Sequence, residues 1–168
     1  MLEKFLRKFL KPGELPNRWR APDYLRAHYD PSLVQALIHQ HRALSVLLVE
    51  ASSAAQLGDY TEVGHILEQF EVALADHLRQ ERERLHPYLA EHLIGEEGEA
   101  VLREMHTQTA LIRHSVSGFL KRYLGTPVDA QSAAAFEQDI EAVSDEFSQE
   151  MEREEAIFYT LYLPPEAY

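Results

Sequence analysis

Residues 136–161 read FEQDIEAVSDEFSQEMEREEAIFYTL, and one face of this stretch decides the fold. Phe136, Ile140, Val143, Phe147, Ile157 and Leu161 fall on the progression 136, 140, 143, 147, 150, 154, 157, 161. Unbroken steps of four and three mark a helix of 3.6 residues per turn with an apolar stripe turned to a core. Two members of the progression are not apolar. Glu150 and Glu154 stand in its middle, so the periodicity that predicts the helix also predicts two carboxylates inside the protein.

Three more segments upstream carry the same period. Asp30-Pro31 supplies an N-cap and a first-turn proline for a helix that runs to about Gln56, where Gly58 suits a C-terminal cap. Its stripe is Leu33, Leu37, Leu44 and Leu48. A second helix runs from near Tyr60 to about Glu91 on Val63, Ile66, Leu67, Phe70 and Leu74, with Pro87 expected to kink its last turns. IGEEGE, residues 94–99, reads as a loop. A third helix spans about Ala100 to Leu124 with Leu102, Met105, Ile112, Val116 and Phe119 inward, and Gly125-Thr126-Pro127 ends it. The fourth begins near Ala130. Four long amphipathic helices on short connections predict an all-α, up-down-up-down antiparallel four-helix bundle over residues 30–168.

Residues 1–29 form a different unit. Leu2, Phe5, Leu6, Phe9 and Leu10 oppose Lys4, Arg7, Lys8 and Lys11 in an amphipathic helix over residues 2–11, followed by a proline-rich strap. Such a helix suits an acidic membrane surface or a partner protein, and docking on its own acidic bundle or a second copy of it is the favoured reading.

Composition removes several classes of function. There is no cysteine, so disulfides, zinc–thiolate sites and iron–sulfur clusters are excluded. Net charge is −12, and residues 31–168 are far more acidic than the basic N-terminal segment, which speaks against nucleic acid. No run approaches the ~20 apolar residues of a membrane span, and the charged N-terminal segment lacks the core of a secretory signal. A cytoplasmic protein is the expectation.

The polar residues within the stripes carry the chemistry. His41 sits among the leucines of helix one, and the progression 63, 67, 70, 74, 77, 81 turns His77 and Glu81 inward on helix two. His106 lies four residues after Leu102 on helix three. With Glu150 and Glu154, six ionisable groups face one interior. A buried carboxylate without a partner costs several kcal/mol, roughly, and no lysine or arginine holds a central stripe position, Arg113 lying toward one flank. Two divalent metal ions offset that charge. Imidazole and carboxylate without thiolate suit iron, manganese or zinc. An internal echo supports two half-sites: HLRQERERLHPYL from His77 resembles EMEREEAIFYTLYL from Glu150, which aligns Glu81 with Glu154 and Leu85 with Phe158.

These residues resemble the hemerythrin-like family, the HHE cation-binding domains, whose pattern is His, HxxxE, His and HxxxE on four successive helices. Here the pattern reads His41, His77 with Glu81, His106, and Glu150 with Glu154, over residues 30–163. The segment LHPYL after HxxxE adds to the likeness, and Glu150 departs from it where the family has histidine. The resemblance implies that His41 and His77 bind one metal, that His106 and Glu150 bind the other, and that Glu81 and Glu154 bridge them. It implies two iron ions joined by an oxo or hydroxo bridge, with manganese or zinc as alternatives, and a small diatomic or peroxide ligand. The expected role is handling or sensing of oxygen, nitric oxide, peroxide or iron. A ferroxidase or peroxide-consuming enzyme, favoured by the extra carboxylate, is a second reading, and a regulatory bundle with a vestigial site a third. Tyr88, Tyr159 and Tyr162 read as packing or as the site mouth, Glu155 as outer face, and His86 and His92 as surface.

Overall fold

The computed structural model describes residues 28–168; the amphipathic segment 2–11 and residues 12–27 of the strap lie outside the described residues. Among the described residues there are four long helical runs and no strand. Helix α1 spans Leu33–Gln56 and α2 spans Tyr60–Gln80. A π-helical turn, Glu81–Leu85, carries α2 directly into α3, His86–His92. Helix α4 spans Gly95–Gly125, and α5, Ala133–Arg153, continues through a second π turn, Glu154–Phe158, into a 3-10 turn, Tyr159–Leu161.

The ends follow from local chemistry. Ser32, not Asp30, is the cap residue of α1, and the Asp30 carboxylate accepts from the Ser32 N–H at 2.8 Å and from the Ser32 hydroxyl at 2.7 Å in the turn just ahead of it. Gly58 closes α1 at φ +75, a left-handed conformation that costs other residues about 1–2 kcal/mol. Asp59 then accepts from Glu62 N–H at 3.1 Å and starts α2. Asp129 performs the same service for Ser132 ahead of α5, at 2.8 Å.

The helices pack in a ring: α1 lies against α2 and α5, and α4 against α2 and α5. Ser115 donates to Glu146 at 2.5 Å, and Arg122 pairs with Asp139 further on, so α4 and α5 run antiparallel. The expected stripes are buried on α1, on α2, and on α5 from Phe136 to Phe147.

Two further expectations change. The IGEEGE segment is helix from Gly95 onward, its glycines serving geometry rather than looseness. Gly95 enters the helix at φ +80, and a Cβ on Gly98 would lie 2.6 Å from the Leu93 carbonyl carbon. Ile157, expected in the core, is 37% exposed, and Phe158 is buried in its place at 2%. The π turn inserts one residue into the helical period, so the stripe steps from 154 to 158.

The core is two apolar clusters. One holds Leu44, Phe70, Leu74, Phe136 and Phe147; the other holds Leu33, Leu37, Leu85, Met105 and Phe158. Along α1, α2 and α5, the residues between the two clusters are polar and buried: His41, His77, Glu81, Glu150 and Glu154. That layer is the site.

Candidate metal centre

His41 on α1, His77 at the end of α2, and Glu81 and Glu154 at the starts of the two π turns each offer one ligand atom within 4.8 Å of all the others. The shorter separations are 3.3 Å between the two Nε2 atoms, 3.4 Å from His41 Nε2 to Glu154 Oε2, and 3.6 Å from His77 Nε2 to Glu81 Oε2. Four donors placed tetrahedrally at about 2.1 Å from one ion are separated by roughly 3.4 Å. Three of the separations therefore match those of a tetrahedral donor set.

Their orientation is fixed from behind. Glu155 Oε1 takes the Nδ1–H of His41 at 2.9 Å, and Gln40 Oε1 takes the Nδ1–H of His77 at 3.1 Å. A carboxylate and an amide oxygen can only accept, so both neutral rings keep their free lone pair on Nε2, aimed at the cluster. Two such lone pairs at 3.3 Å repel unless a cation lies between them. Glu81 Oε2 and Glu154 Oε2 are buried without any hydrogen-bond partner. Orphaned buried oxygens of this kind are rare in proteins, and beside two imidazole nitrogens they fit a transition metal.

Electrostatics agree. Burial, then the charge of Glu154, raises Glu81 to about 8; burial, then Glu150, raises Glu154 to about 8. Burial lowers His41, and burial followed by the neighbouring His41 lowers His77 to about 3. Without metal the site sheds charge on both sides, with carboxyls protonated and imidazoles neutral. A cation reverses the balance for the carboxyls and releases their protons.

Glu150 is buried one turn before Glu154, but Arg153 donates to its Oε2 at 2.7 Å, while its Oε1 has no partner. It does not join the convergent four. His106 does not face the interior: its ring is exposed, 5.5 Å from that of His86. Met105, one residue and about 100° earlier around α4, takes the core position. His86 is half-buried rather than on the surface, and burial with the nearby His106 lowers it to about 4. Among the described residues, no other convergent group of three or more metal-binding side chains occurs.

Three contributors lie outside the six residues of the sequence pattern, Tyr159 as the expected site mouth or packing and Glu155 as the expected outer face. Gln40 and Glu155 lie one residue from a core position, and their side chains reach back to the ring nitrogens. Tyr159 is buried, its hydroxyl donating to Glu81 Oε1 at 2.8 Å and lying 3.0 Å from His41 Nε2.

A cavity of about 10 Å³, room for one water-sized molecule, adjoins His77 and Glu154. Leu74, Ile112, Val116 and Phe147 make its apolar wall, and Arg113 stands at its edge.

No curated protein and no solved structure matches the chain. The family model of the hemerythrin HHE cation-binding domain matches residues 32–162 and so covers all four long helices and every side chain of the cluster. With a buried His/Glu cluster of metal-binding geometry inside that span, the chain belongs to the hemerythrin HHE cation-binding family.

Proposed function

We propose that the protein binds iron at His41, His77, Glu81 and Glu154, and that it handles or senses oxygen, nitric oxide, peroxide or iron itself. One observation carries the reading: both histidines are pinned at Nδ1, so that two Nε2 lone pairs and two orphaned carboxylate oxygens converge inside an apolar core. A bound iron supplies redox chemistry and a coordination position for a small ligand. The protein's own residues do the rest. His41 and His77, each held in one tautomer, would bind the ion, Glu81 and Glu154 would give up protons to balance its charge, and the apolar clusters on either side exclude water. The small cavity beside His77 and Glu154 holds one water-sized molecule, and Arg113 in its lining favours an anionic one such as hydroxide.

The two-ion form implied by the family pattern asks His106 and Glu150 to hold the second ion. The exposed ring of His106 and the Arg153 pairing of Glu150 favour a second reading, in which the four-residue cluster fills first and alone at low iron. Anaerobic titration of the metal-free protein with Fe(II), followed by elemental analysis after desalting, separates the readings. Two retained equivalents support the dinuclear centre, one supports the single-ion form, and none removes the proposal.

A further inference from the structure

We propose that Tyr159 is itself a ligand of this centre, donating its phenolic oxygen to the ion held by His41, His77, Glu81 and Glu154. The inference rests on the metal-binding reading above and extends it to a fifth side chain and to a preferred oxidation state.

The alternative is an ordinary buried tyrosine that finds an acceptor. Three observations favour the ligand. First, the hydroxyl oxygen lies 3.0 Å from His41 Nε2, a ligand atom of the cluster, and 2.8 Å from Glu81 Oε1, the oxygen beside the orphaned Oε2. Donors at about 2.1 Å from one ion and at right angles to each other are separated by about 3.0 Å. Secondly, the backbone is arranged to deliver it. Tyr159 N–H bonds to the Glu154 carbonyl across the π turn, an i to i+5 bond that brings Tyr159 onto the face of Glu154. A regular α-helix would rotate it away, and π turns cluster at functional sites. Its ring is also stacked on His41, with centroids 5.4 Å apart and planes at 20°, so the phenol has little freedom to turn elsewhere.

Thirdly, charge selects the ion. Two carboxylates leave one positive charge uncompensated on a trivalent ion in a dry core, where net charge is expensive. A phenolate brings the ligand charge to −3 and neutralises Fe(III). Binding replaces the phenolic O–H bond by an O–metal bond, the proton passes to solvent, and no electron moves. Tyr159 therefore favours the ferric state over the ferrous.

The test uses the full chain loaded with Fe(III) from a chelate, with iron content measured beside the visible spectrum. The wild-type protein is expected to show a phenolate-to-iron charge-transfer band and, on excitation within it, the ring vibrations of a metal-bound tyrosinate. Tyr159→Phe is expected to lose the band and to bind Fe(III) at least about tenfold more weakly, while Tyr162→Phe keeps both. Bound iron without the band in the wild type, or a band that survives in Tyr159→Phe, overturns the proposal while leaving the metal site standing. The wild-type spectrum decides even if the variant fails to fold. A wild-type chain that binds neither iron, manganese nor zinc overturns the underlying reading and this one with it.

Discussion

Glu155 and Gln40 each touch the cluster through a single hydrogen bond to the back of a histidine, and that is where a residue-scale test is cleanest. Glu155→Ala leaves His41 in place but frees its tautomer and ring angle. The Glu155 side chain is 37% exposed, so its loss leaves no buried void. The expected outcome is a metal affinity about 10–100-fold weaker with the fold intact, measured by calorimetric titration with Zn(II) or anaerobic Fe(II). Unchanged affinity would show that His41 needs no support. At this scale the sequence was legible wherever one helical phase was dominant. His41, His77, Glu81, Glu150 and Glu154 each interrupt an otherwise apolar stripe, and all five are buried. His106 is not legible in this way, because α4 carries two overlapping phases, one through Leu102 and His106 and one through Met105, Ile112 and Val116. The second wins, since Met105 is buried and can fill space that an imidazole could enter only by giving up its hydration.

At the scale of elements, the two π turns decide what reaches the centre, and periodicity alone does not reveal them. A straight helix through Glu154 buries Ile157, whereas the π turn buries Phe158 and exposes Ile157. The two geometries give opposite mutational results. Ile157→Lys is expected to change unfolding free energy by less than about 1 kcal/mol, and Phe158→Ala to cost about 3–5 kcal/mol, both from denaturant melts of the metal-free protein. The reverse order would restore the straight helix. The Glu81–Leu85 turn has an added cause in Pro87, which has no N–H to give to the preceding turn. Thr160 stands where a proline would match Pro87, so the register of the second turn rests on packing and on the hydrogen bonds of Glu155 and Tyr159. The start of α4 carries a further expectation. Gly98→Ala places a Cβ 2.6 Å from the Leu93 carbonyl carbon, backbone that has no rotamer to yield. A cost of about 1–3 kcal/mol is expected, seen as a lowered melting temperature; an unchanged one would mean that α3 and α4 can separate without loss.

For the whole molecule, the site sets how stability depends on pH, and metal cancels that dependence. Glu81 and Glu154 are raised from 4.5 to about 8 by burial and by neighbouring carboxylates. A raised carboxyl is more protonated in the folded than in the unfolded chain between those two values. Its contribution is therefore complete below pH 4.5 and is lost as pH climbs to about 8. His77 acts oppositely, because burial lowers it from 6.5 to about 3; its contribution is present above 6.5 and is lost as pH falls toward 3. The two effects compete between about 4.5 and 6.5, and from 6.5 to 8 the glutamates act alone. In that window the metal-free protein is expected to lose up to about 1.4 kcal/mol per pH unit for each carboxyl. Glu81→Gln with Glu154→Gln should flatten the slope, since an amide has no proton to lose. Metal cancels it. An ion that needs both carboxylates ionised binds more tightly as pH rises to 8, and binding to the folded state alone stabilises by RT ln(1 + [metal]/Kd). Chemical denaturation at pH 6.5, 7.25 and 8, with chelator and with saturating Mn(II) or Zn(II), should give two lines that diverge toward high pH. Parallel lines would mean that no metal is held by these carboxylates. A metal-free line that rises over the same window would mean that Glu81 and Glu154 are already ionised in the folded chain, with their charge balanced by protein groups.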